Sequence, residues 1–229
     1  MIKINNLDMI NKYILKYGIN DIFTKDMKPF MEILLFEKNQ FVFKEDEDIK
    51  YLIFLIKGRL KVYVTLSNGR SLLNCFCQDF KVFGDLEFIN SQTAYSNVQA
   101  IADTYCIGIP INKVREYLLN DAKFLKYICS ELGEKLLKFS RNTSINLLYP
   151  LENRLASYIL ATGQKNHNNG RIEFNENLTE IAELLGSSYR HLLRTLNMLC
   201  LKGSIEKKNG YYEIIDNGIL EELAVGVYS

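Results

Sequence analysis

The stretch LTEIAELLGSSYRHLLRTLNMLCLKGSIEKKNGYYEII, residues 178–215, decides how the chain is read. Ala182 falls on the inner side of a short helix, Gly186 follows four residues later, and Leu192 comes six residues beyond the glycine. A small residue lets two helices cross closely, a glycine accepts the positive φ of a tight turn, and an apolar residue on the second helix locks the pair. Asn209-Gly210, set between two short β-prone runs in 204–215, is the strongest local signal for a primed hairpin turn. Helix, turn, helix and hairpin together predict a winged helix-turn-helix.

The second helix carries residues that packing alone does not call for. Leu192, Leu193 and Leu196 follow helical spacing, with Leu193 placed to meet either the core or a thymine methyl, but Tyr189, Arg190 and His191 crowd the first turn. From Ser187 to Lys208 the chain carries Arg190, Arg194, Lys202, Lys207 and Lys208 against a lone Glu206. Cations gathered on one element are what attraction to phosphate needs. The whole chain has a formal net charge of only +1, so the nucleic-acid site must be local.

Outward from this stretch, 229 residues with 48% hydrophobic and 24% charged side chains suit two folded domains without a disordered tract. The N-terminus shows no leader pattern, and no segment approaches the roughly 20 apolar residues of a membrane span, so a cytoplasmic location without membrane contact is expected. Five scattered cysteines match neither a disulfide framework nor a zinc knuckle, and reduced thiols are the expected state.

Residues 33–110 read as short strands in an antiparallel barrel or sandwich. In GRLKVYVTLSNGRSLL, Leu60, Val62, Val64 and Leu66 point one way and Lys61, Tyr63 and Thr65 the other, with Asn68-Gly69 as the turn. QFVFKE, YLIFLIKG and YCIGIP are further β-rich runs. After Pro110, Asn112 can cap one helix running to about Arg141, before a polar joint RNTS at 141–144. Val114, Leu118, Leu125, Ile128, Leu132, Leu136 and Phe139 fall near a 3.5-residue repeat, while Tyr117, Phe124 and Tyr127 form a second strip. One strip can cover the barrel and the other pair with a second copy; the alternative, a helix lying wholly on its own barrel, is weaker because a single barrel offers little for so long a helix to lie against. Pro150 suits the start of another helix, with Leu151, Leu155, Tyr158 and Ile159 on its apolar face, and NHNNG at 166–170 reads as a surface loop.

Taken together, FVFKEDEDIKYLIFLIKGRLKVY (41–63), FGDLEFINSQTAYSNVQAIADTYCIGIP (83–110), the long helix and the stretch quoted first resemble the superfamily of the cyclic-AMP receptor protein and the fumarate and nitrate reduction regulator (CRP/FNR). The resemblance covers almost the full length, and SYRHLLRTL is most similar to the YeiL branch. It implies an α+β chain: an antiparallel, cyclic-nucleotide-binding-like β-roll or jelly-roll in 1–111, a long dimerisation helix in 112–141 and a winged helix-turn-helix in 142–229. It also implies a non-enzymatic, homodimeric bacterial transcription regulator bound to a double-stranded DNA operator, with RNA polymerase as a further partner.

The family pattern, laid on by Gly186 and Arg194, implies base-edge contacts from Tyr189, Arg190 and Arg194, and phosphate contacts from Ser188 and His191. Lys202, Lys207 and Lys208 join the phosphate set by charge. Arg forks can bind guanine O6 and N7, at roughly 1–3 kcal/mol of discrimination. Tyr189 replaces the family's usual Arg and Arg190 its usual Glu, so a different operator is expected. Plainer roles remain for Tyr189, packed beneath the wing, and for Lys202, a solvated helix end.

The sensor half departs further from the pattern. Relatives that bind cyclic nucleotides clamp the phosphate with an Arg and a Ser where this chain has Ala94 and Tyr95, following Gly84 and Asp85 in the effector-pocket segment. Lys and Arg are absent from all positions between Gly84 and Asn112, and a buried phosphate without a cation is costly, so cyclic AMP and cyclic GMP are not expected ligands. Cys75, Cys77, Cys106 and Cys129 could supply thiolates to an iron–sulfur cluster, or Cys75 or Cys77 one to haem, but buried small residues are the plainer reading. The two histidines, His167 and His191, lie outside the sensor half. No cofactor is predicted, with iron–sulfur and haem left open. The signal is a small apolar or aromatic effector, a cysteine redox change, or nothing. A metal-dependent enzyme on the β-roll would need histidine ligands that this half lacks. The contrasting reading is a ligand or redox sensor, or a scaffold, that no longer binds DNA.

Overall fold

A computed structural model describes residues 1–90, 93–166, 171–225 and 227. The strands are β1 Ile2–Ile4, β2 Glu32–Phe36, β3 Phe41–Phe43, β4 Tyr51–Lys57, β5 Leu60–Thr65, β6 Ser71–Cys77, β7 Lys81–Phe83, β8 Asn97–Ala100, β9 Thr104–Pro110, β10 Gln164–Lys165, β11 Ile172–Phe174, β12 Ile205–Lys207 and β13 Tyr212–Ile214. The helices are α1 Leu7–Tyr17, α2 Asp85–Asn90, α3 Ile111–Leu118, α4 Ala122–Leu148, α5 Leu151–Thr162, α6 Leu178–Leu184, α7 Tyr189–Leu201 and α8 Asn217–Ala224. They form two compact units, one of residues 1–64 with 76–139, the other of 65–75 with 140–229.

The first unit is built on two antiparallel sheets, with the strand orders β1-β2-β9-β4-β7 and β3-β8-β5. Strand β4 reads YLIFLIK, a continuous apolar run rather than an alternation, because both of its faces are covered. Leu52, Phe54 and Ile56 join a core with Ile107 and Ile109 of β9 and with Ile10, Ile14, Ile19, Phe23 and Met27 from the N-terminal segment. Tyr51, Ile53 and Leu55 face the other way, into a roll interior with Leu34, Phe36, Leu60, Val98 and Cys106. On β5 the expected alternation fails at Lys61, which is only 4% exposed, its ammonium 5.6 Å from the centre of the Tyr63 ring.

The long helix differs from the one expected over 112–141. It is two helices, because Asp121 caps a new start: its Oδ1 accepts from the amides of Lys123 at 3.0 Å and Phe124 at 3.2 Å. The same carboxylate accepts from Thr24, the amide at 2.7 Å and the hydroxyl at 2.9 Å. Asn112 is not the cap of α3; Pro110 holds that position, with φ −51°. The polar joint RNTS is helical too, since α4 runs on to Leu148, at roughly 1.5 Å per residue about 40 Å in all. Its asparagines have partners that local sequence cannot show: Asn142 donates to Asn74 O at 2.7 Å and Asn146 to Leu73 O at 3.3 Å, both on β6.

In the second unit, α5, α6, α7 and α8 pack on a sheet ordered β10-β11-β13-β12. Tyr158 and Phe174 are fully buried edge to face, and the Tyr158 hydroxyl donates to Glu176 at 2.7 Å. Of the expected loop NHNNG, residues 167–170, including His167, lie outside the described residues.

Candidate nucleic-acid interface

Asn177 starts α6 by accepting from the amides of Thr179 and Glu180. Ala182 is buried, Gly186 takes φ +61°, and Ser187 N donates back to Ala182 O at 2.8 Å, closing the turn. Ser188, expected at a phosphate, is the N-cap of α7, its hydroxyl accepting from His191 N at 3.2 Å. The helix then divides cleanly. Leu192, Thr195, Leu196 and Leu199 are buried, whereas Tyr189, Arg190, His191 and Arg194 are exposed. Arg190 and Arg194, one turn apart, share a face, and neither is paired with an acid among the described residues.

Tyr189 turns partly toward the wing. It lines a groove of about 250 Å³ with Phe174, Leu193, Lys207, Tyr211 and Tyr212, and is 49% exposed. The wing is β12 and β13 joined through Asn209-Gly210, with Gly210 at φ +91° and Lys208 N donating to Tyr211 O at 2.8 Å. Burial raises the Tyr212 hydroxyl above the usual tyrosine range.

The expected phosphate lysines do not behave alike. Lys207 is exposed and joins no ion pair among the described residues. The Lys208 ammonium lies 2.7 Å from Glu206. The Lys202 ammonium lies 2.6 Å from Glu152 of α5, at the C-cap of α7, while its side chain stays 44% exposed. Glu152 and Arg154 escaped the sequence reading, which assigned the start of α5 to packing alone. So did residues 65–75, which read as part of the β-roll; Leu72 Cδ1 lies 3.6 Å from where a Cβ on Gly186 would stand.

Burial divides the expected dimerisation strip. Val114, Leu118 and Ile128 are fully buried in the core of their own unit, and Leu125 and Leu132 pack partly against it, because the first half of the strip faces the sheet. Leu136 and Phe139, 68% and 55% exposed, are the members that face outward.

In the effector-pocket segment, the Asp85 side chain is 4% exposed, and both its oxygens lie 2.7 Å from Lys135 of α4, which also donates to Val82 O. Lys81 adds contacts to Glu131 and Glu134 of the same helix. Gly84 takes φ +89°, Ala94 is buried and Tyr95 points outward, its amide donating to Glu87. The four candidate cysteines do not converge: Cys106 is buried in the roll, Cys75 and Cys77 are half-buried and Cys129 is exposed. Among the described residues no three His, Cys, Asp or Glu side chains are placed to hold a metal ion, and no helix is long and apolar enough to cross a membrane.

Known proteins match this layout. A model of the cyclic nucleotide-binding domain matches residues 33–121, and a model of the Crp-like helix-turn-helix domain matches residues 153–223. The fold is that of a CRP-family transcriptional regulator from Thermus thermophilus, at TM-score 0.65 and 18% identity over 86% of this chain and 98% of that one. It is also that of FixK2 from Bradyrhizobium japonicum, at TM-score 0.59 and 19% identity over 83% and 96% of the two chains. Regulatory protein YeiL of Escherichia coli O157:H7 is 33% identical over 196 residues, 85% of this chain and 86% of that protein. With such identity along most of both chains and both domain models in order, this chain belongs to the CRP/FNR family of transcription regulators.

Proposed function

We propose that this regulator acts in the cytoplasm as a homodimer that reads a two-fold symmetric operator with α7, Arg190 and Arg194 forking onto guanine edges in the major groove. The observation that carries the reading is the division of α7. One face is wholly committed to its domain, while the other presents two guanidinium groups without acidic partners among the described residues. Tyr189 and the exposed Lys207 flank them from helix and wing. Leu136 and Phe139, outward on α4, supply apolar surface for the second copy. Selection from a random duplex library tests this: the recovered sites should be palindromic, with half-site centres about 34 Å apart. Recovery of single half-sites or of no consensus would refute it. The operator's position relative to RNA polymerase then sets activation or repression.

The residues do not fit a cyclic nucleotide as effector. Its phosphate would meet no cation from the segment between Gly84 and Asn112, and the ammonium at Asp85 is already held by that carboxylate. Calorimetry with cyclic AMP and cyclic GMP should show no micromolar binding; heat of binding at that level would overturn this part.

A further inference from the structure

The first turn of α5 touches the C-cap of the recognition helix and the turn that leads into it. Glu152 Oε1, buried and without a hydrogen bond of proper angle among the described residues, lies 2.6 Å from the ammonium of Lys202, the C-cap of α7, so the contact is a close ion pair. Arg154 donates through Nη1 to Leu185 O, beside the turn glycine that precedes α7, and through Nε to Tyr149 O at 3.2 Å, just past the end of α4. The C-cap of α7 and the carbonyl that ends α6 lie on opposite sides of a thirteen-residue helix and its turn, so reaching both from one turn needs long side chains that diverge. Positions two apart on a helix do diverge.

The charges suit this arrangement. Glu152 sits at the positive end of α5 and Lys202 at the negative end of α7, so each is favoured by its own helix before they meet. Arg154 lies where the C-terminal carbonyls of α6 and of the α4 joint converge, and its planar fork can serve both at once, which a lysine ammonium cannot do in the same geometry. We propose that Glu152 and Arg154 are positioning residues: a two-point mount that makes α7 move as one body with the first turn of α5, immediately after Pro150. Lys202 belongs to this mount and not to the phosphate contacts. The inference rests on α7 being the DNA-reading helix.

The test uses the full-length protein, with fluorescence anisotropy on a selected operator and on an unrelated duplex across a salt series. Because the Lys202 side chain is 44% exposed, Glu152→Gln and Lys202→Gln should each weaken operator binding only a few-fold, about three to five. The double variant should be no worse than either single one, and the salt slope should not change. Arg154→Lys should lose about tenfold on the operator and little on the unrelated duplex. A phosphate contact gives the opposite pattern: Lys202→Gln alone weakens both duplexes and reduces the salt slope by about one, and that result overturns the mount. If no duplex is bound specifically, the DNA reading fails, and the mount is judged by hydrogen exchange of the α7 amides. Glu152→Gln and Lys202→Gln should then accelerate the same amides without adding to one another; additive or unrelated effects overturn it.

Discussion

Replacing Asp121 with alanine removes the group that divides α3 from α4. The carboxylate, on a residue 8% exposed, accepts two amides of the new helix and two donors of Thr24. Loss of an N-cap costs about 1 kcal/mol, and hydrogen bonds to a charged group contribute about 1.5–3 kcal/mol each, reduced where the freed donors reach water. A total of about 3 kcal/mol follows, which lowers the melting temperature of a chain this long by about 6–12 °C. Burial works against the charged carboxyl, but the bonds from Thr24, Phe124 and Lys123 outweigh it and hold its pKa below the usual aspartate range. A depressed carboxyl contributes stability that is complete above its unfolded pKa, about 3.9, and is lost as pH falls through the lower folded value. Calorimetric melts of the wild type and Asp121→Ala should therefore differ by a constant amount from pH 5 to 8, and the gap should begin to narrow as pH falls below about 4. A gap under about 1 kcal/mol, or one as large at pH 3 as at pH 7, would refute this origin of the helix break.

Lys135→Met leaves the Asp85 carboxylate without its cation and should cost about 3 kcal/mol in urea denaturation, with Asp85→Asn recovering much of the loss in the double variant. Leu136→Asp with Phe139→Asp should raise the dimer dissociation constant at least about tenfold by analytical ultracentrifugation, with little effect on melting of the monomer. Burial pushes the Cys106 thiol up, so iodoacetamide should label exposed Cys129 first and Cys106 only on unfolding, as read by mass spectrometry.

The helix-turn-helix and its wing were legible because their signals are local. Ala182, Gly186 and Leu192 each act within a few residues of their partners, and Asn209-Gly210 makes its own turn. The helix break at Asp121 was not legible, because the carboxylate is fixed by Thr24, 97 residues away. The RNTS joint reads as polar loop for the same reason: Asn142 and Asn146 answer to carbonyls of β6. A 3.5-residue repeat cannot say which neighbour an apolar face meets, so Val114, Leu118 and Ile128 looked like a dimer seam when they seal their own sheet. Lys202 shows the same limit for charge: counting cations in 187–208 cannot reveal that Glu152 lies 2.6 Å from one of them.

Whether the exposed arginines of α7 read base pairs is decided by footprinting and titrating Arg194→Ala on the operator selected by the wild type, with an unrelated duplex alongside. The expected result is a lost footprint, operator affinity reduced at least about tenfold and little change on the unrelated duplex, with the dimer intact. An unchanged footprint on the same operator would show that Arg194 does not read it.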